Sequence, residues 1–66
     1  MKVEFREKFE EDFGVVETGN VNGHGFNLIH GGRNTFIEIV DALGKVRQGD
    51  FNEEKKAVLE AFNKKM

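Results

Sequence analysis

The segment from Gly19 to Gly32 constrains this chain more than any other. The run GNVNGHGFNLIHGG holds five glycines, three asparagines, both histidines and no charged residue. Strongly charged segments with helical spacing lie on either side. Such a run either presents a shaped surface or builds a tight hairpin between helices. Within it, Asn22-Gly23 is a hairpin-turn signal, because both residues tolerate a positive φ. Val15, Val16 and Thr18 suit one short strand, and Phe26, Leu28 and Ile29 suit its partner. The expectation is a β-hairpin over residues 15–30, with an irregular ordered loop as the alternative.

The flanks read as helices. Phe5, Phe9 and Phe13 recur every four residues, with Val16 three further on, which is a helical stripe. Glu4 with Lys8 and Arg6 with Glu10 are i,i+4 pairs that support a helix over Lys2 to Phe13. Gly14 would stop it. A competing pattern exists at the start: Val3 and Phe5 alternate with Lys2, Glu4 and Arg6, so residues 2–6 also fit an edge strand.

After the Gly-rich run, Thr35 and Glu38 have capping-box spacing. Phe36, Ile39, Val40, Leu43 and Val46 then fall on one helical face, predicting a helix over Thr35 to Gln48. Gly44 interrupts that face, and Gly49 is a stop. A last helix is predicted from Phe51 to Lys65, with Asp50 or Asn52 as its cap. Glu53 and Glu54 at its start and Lys64 and Lys65 at its end complement the helix dipole. The short Gly49-Asp50 connection joins these two helices as an αα-hairpin. The expected fold is therefore α+β: one small domain over residues 1–66, with an N-terminal helix, a short β-hairpin and a C-terminal αα-hairpin.

Composition narrows the function classes. A chain of 66 residues buries a modest core and is marginally stable alone, so a homodimer that completes the core is an open option. Serine, cysteine, tyrosine, tryptophan and proline are all absent. Thr18 and Thr35 carry the only aliphatic hydroxyls, so the usual acyl-transfer nucleophiles are missing. No apolar run approaches the roughly 20 residues that span a bilayer as a helix. Charge begins at the second residue, unlike a signal peptide, and the expected location is the cytoplasm. Net charge is −2, and no basic face stands out, which argues against nucleic-acid binding.

Several motifs bear on chemistry. On a strand, His24 and His30 would share a face with Phe26 and Leu28, and Glu17 or Asp12 could join them on a metal. Catalytic zinc needs three protein ligands, however, and no such signature is present. Gly31, Gly32 and Arg33 lead into the expected third helix and form a weak anion-binding candidate. The Asn20-x-Asn22-Gly23 run lacks the acidic first and last positions of a calcium loop. Gly23-x-Gly25 lacks the remainder of a dinucleotide fingerprint. The acidic group Glu7, Glu10, Glu11 and Asp12 reads as solvated surface, or as a means of steering toward a basic partner.

These features favour a small non-enzymatic binding module, a regulator or inhibitor that docks on a larger protein through residues 19–33. The expected contact residues are His24, Phe26, Asn27, His30 and Arg33, with no cofactor and no resident metal. Phage and mobile-element regulators are often of this size. One alternative is a helix-turn-helix regulator built on the last two helices, although Glu53 and Glu54 would then face phosphates. Another is a small metal protein using the two histidines.

Overall fold

A computed structural model describes residues 1–65. Four antiparallel strands come first: β1 (Val3–Glu11), β2 (Gly14–Val21), β3 (His24–Gly31) and β4 (Asn34–Val40). One helix follows, α1 (Asn52–Lys65). The strands form a single sheet in the order β1-β2-β3-β4. Each joins the next through a two-residue turn.

The Gly/Asn-rich chemistry explains the turns. Asn22 and Gly23, with φ of +49° and +79°, take the two positive-φ positions of a type I′ hairpin. Gly32 supplies a positive φ of +58° at the next turn. Register across β2 and β3 pairs Val16 with Ile29, Thr18 with Asn27 and Val21 with His24. The hairpin expected over residues 15–30 is therefore present, as the centre of a larger meander.

Both flanking helices before residue 50 are overturned. Lys2 to Phe13 holds β1 and the turn after it, not an N-terminal helix. Its i,i+4 charge pairs offer only a few tenths of a kcal/mol each. Pairing along β2 satisfies a whole row of backbone groups instead. The edge-strand pattern seen at residues 2–6 was the correct local signal, and it continues to Glu11.

Thr35 to Gln48 is not a helix either, so there is no αα-hairpin. Thr35, Ile37, Ile39 and Val40 are β-branched, and the period along β4 is two. The supposed helical stripe would have buried Phe36, Leu43 and Val46, yet all three are exposed. Past Val40 the chain turns instead. Asp41 Oδ1 accepts from the Leu43 and Lys45 amides, both at 2.9 Å. Val46 then forms a bridge back to Val40.

The expected last helix is present as α1. The Phe51 carbonyl takes the first helical bond, from the Lys55 amide at 2.9 Å, so the cap position falls between the two expected residues; Asp50 Oδ1 accepts from the first helical amide, Asn52, at 3.1 Å. The helix lies across one face of the sheet. Val58 and Phe62 pack on Val21, Phe26, Leu28, Ile37 and Ile39, with Val3, Phe5, Phe51 and Ala57 around them. Each large apolar side chain buried there contributes roughly 1.5–3 kcal/mol.

Gly19 sits at the tightest point of this face. A Cβ there would lie 1.9 Å from the Glu4 carbonyl oxygen and 2.8 Å from the Phe26 ring. Its missing side chain lets Phe26 pack edge-on against Phe5, with ring centroids 5.5 Å apart.

Candidate functional site

Antiparallel pairing puts directly opposed residues on the same face. The helix-covered face therefore takes Val15, Glu17, Gly19 and Val21 from β2, His24, Phe26, Leu28 and His30 from β3, and Thr35, Ile37 and Ile39 from β4. The opposite face takes the alternate residues. Register lines up Phe9, Val16, Ile29 and Phe36 in one row across all four strands. With strands about 4.8 Å apart, that row spans roughly 14 Å of backbone.

Among the described residues no helix lies over this row, and α1 meets it at the β4 edge alone, where Lys55, Lys56 and Leu59 line a groove with Phe36. Phe9 is 46% exposed and Phe36 58% exposed, with the half-buried Val16 and Ile29 between them. Exposed Phe13 lies beside it, because the β1–β2 turn folds against Gly31, whose Cβ would sit 2.6 Å from the Phe13 carbonyl oxygen. The neighbouring row reads Glu7, Thr18, Asn27 and Glu38. It is polar in the middle and acidic at both ends. Glu11 borders the apolar row on its other side.

Phe9 reaches the open face because β1 carries a bulge. The register shifts between Phe5 and Glu7, leaving Arg6 without a partner in the ladder. Phe5 points to the helix and Phe9 away from it. The sequence holds a signal for this row, since Val16, Ile29 and Phe36 alternate with buried residues along three strands. The helical spacing of the phenylalanines hides it.

The residues expected from sequence to form one contact surface are divided. Phe26 is 1% exposed and belongs to the core. His24 lies on the helix-covered face, edge-on to Phe51 with centroids 5.1 Å apart. His30 lies on that face too, with Nδ1 at 2.8 Å from Thr35 Oγ1 and its ring against Phe62. Asn27 is on the open face, and Arg33 is at the exposed tip of the β3–β4 turn.

The two histidines do share a face, but they stand six residues apart along an extended strand, roughly 20 Å. Among the described residues no three His, Asp or Glu side chains converge as metal ligands. Gly31, Gly32 and Arg33 enter a hairpin turn rather than a helix, so the helix-start donors behind the anion-binding reading are not there. The described residues contain one helix, which leaves the helix-turn-helix reading without its second element.

The Thr35 hydroxyl and His30 imidazole have the spacing of a nucleophile and its base. Among the described residues the other ring nitrogen has no side-chain partner to orient it. Phe62 packs against the ring instead.

Among the described residues one charged group is buried. Glu17 is 3% exposed on the helix-covered face. Lys65 from the end of α1 reaches it, Nζ to Oε1, at 2.5 Å. The same ammonium lies 3.9 Å from the centre of the Phe5 ring. This arrangement ties the end of the helix to β1 and β2. It is a structural clamp, on the face away from the apolar row.

No helix of the described residues is long and apolar enough to cross a membrane. Compared with known proteins, the chain matches no family model, no curated protein and no solved structure.

Proposed function

We propose that this chain is a small non-enzymatic binding module that docks on a larger protein through the open face of its sheet. The row Phe9, Val16, Ile29 and Phe36, left uncovered across every strand, carries this reading. A chain of this size gains stability from each apolar group it buries, and two large aromatics held in water contribute little to its own core. A flat face with an apolar centre and a polar rim matches the anatomy of a protein interface. Asn20, Asn27 and Ile29 are the strand side chains of the 19–33 segment that belong to this face, Asn27 and Ile29 being the ones at or beside the apolar row. Phe26 lies beneath it in the core, while His24 and His30 stand on the helix-covered face against Phe51 and Phe62.

Affinity capture from a lysate of the source cells tests the assignment. Three baits are compared: wild type, Phe9→Glu/Phe36→Glu, and Glu60→Lys on the exposed side of α1. The reading expects a partner held by wild type and by the Glu60 variant and lost by the double variant. Equal recovery by all three baits contradicts it.

A further inference from the structure

We infer that the occupant of the open face is a cationic protein surface, an apolar ridge bordered by arginine or lysine, and not a second copy of this chain. This rests on the docking face proposed above and adds the chemistry of its partner. The charges on that face carry the inference. Glu7 and Glu38 stand at the two ends of the row beside the apolar one, and Glu11 flanks the apolar row at its β1 end. Glu4 lies further along the same face, where Lys2 approaches it at 3.9 Å. Arg6 lies toward the Asn20 end, beyond the Glu7 row. Arg47 joins Arg6 there, and Lys55 and Lys56 of α1 meet Phe36 at the β4 edge. On the sheet itself, the residues that border the apolar row within β1 and β4 are acidic.

Pairing with a second copy fails on this pattern. Two sheets stacked face to face are related by a two-fold axis lying between them. With the axis along the strands, Phe9 covers the other copy's Phe36, and Glu7 is brought over Glu38. With the axis along the apolar row, each phenylalanine covers itself, and Glu7 is brought over Glu11. Either stacking buries carboxylate against carboxylate, and like charges brought together in an interface are strongly unfavourable. Nucleic acid fares no better, because its phosphates would meet the same carboxylates. A protein surface with cations at the matching positions satisfies both the apolar row and its border. Such a border also keeps an exposed apolar sheet face from self-association.

The test uses three amphipathic peptides of identical leucine pattern whose polar positions are all Arg, all Gln or all Glu. Each is titrated into the isotopically labelled chain at low salt and followed by NMR. The inference expects shifts at Phe9, Val16, Ile29 and Phe36, with the Arg peptide binding about tenfold more tightly than the Gln peptide. Glu7→Gln/Glu38→Gln should erase that preference. The same double variant should also self-associate in analytical ultracentrifugation at concentrations where the wild type stays monomeric. Equal affinity of the Arg and Gln peptides for the open face overturns the inference and leaves the docking face standing. Peptide footprints elsewhere, or none, overturn both. A wild-type dimer broken by Phe36→Glu would identify the second copy as the occupant and overturn the inference.

Discussion

Phe5 and Phe9 are four residues apart on one strand, yet they stand on opposite faces of the sheet. Phe5 pairs with Gly19 and packs on Phe26, whereas Phe9 pairs with Val16 and faces away from the helix. In a regular strand, residues four apart share a face. The bulge at Arg6 adds the one residue that separates them. A single irregularity in β1 thus completes the core with one phenylalanine and the open face with the other.

Deleting Arg6 should remove the bulge and leave the pairing on both sides of it intact. Phe5 stays opposite Gly19, and Glu7 stays opposite Thr18. NMR of the deletion variant should show cross-strand contacts from Phe9 to Val16, as in the parent. Loss of those contacts with the fold retained would show that Arg6 is not the extra residue in the ladder.

Phe62 and Phe36 should separate stability from binding. Phe62 is buried against the sheet, so Phe62→Ala should cost roughly 3–5 kcal/mol. Phe36 is 58% exposed, so Phe36→Ala should change stability by no more than about 0.5 kcal/mol. Urea denaturation measures both. Equal costs would mean that the open face is covered within the folded chain.

Gly19→Ala should destabilise by about 1–3 kcal/mol or more, since the added methyl meets the Glu4 carbonyl and the Phe26 ring. Thermal denaturation reads the effect directly. Because Gly19 faces the helix, any affinity of the remaining folded protein for a partner should be unchanged. A neutral substitution would contradict the packing described for Phe5 and Phe26.

The Lys65–Glu17 pair should show strong coupling. Lys65→Met leaves a carboxylate that is 3% exposed without its partner, at a cost of roughly 1–3 kcal/mol. Adding Glu17→Gln should restore part of that loss. Lys8, opposite Glu17 in register, limits the penalty in the single variant. A double-mutant cycle by chemical denaturation gives the coupling energy, and a value near zero would rule out the clamp.

Where the local code was strong, the sequence was legible. Asn22-Gly23 announced its turn, the strands on either side followed, and Asp50 with its acidic first turn and basic last turn marked α1. Two stretches misled for identifiable reasons. The bulge at Arg6 leaves the spacing of Phe5, Phe9 and Phe13 looking helical while two of them serve different faces. In β4, Phe36 belongs to an apolar row on the open face, so apolar residues stand on both sides of the strand and the alternation blurs. An uncovered apolar row is a property of four strands in register, and no single segment displays it. The division of the 19–33 segment was hidden for the same reason: His24, Phe26 and His30 alternate with Gly25, Asn27 and Ile29, and only the position of α1 decides which set is covered.

The most direct measurement is hydrogen–deuterium exchange or NMR footprinting of the chain bound to the protein partner it captures. The account predicts protection and shifts centred on Phe9, Val16, Ile29 and Phe36, extending to Glu7 and Glu38, with the exposed side of α1 unchanged. A footprint centred on α1 or on the tip at Arg33, with the open face still free, would contradict it.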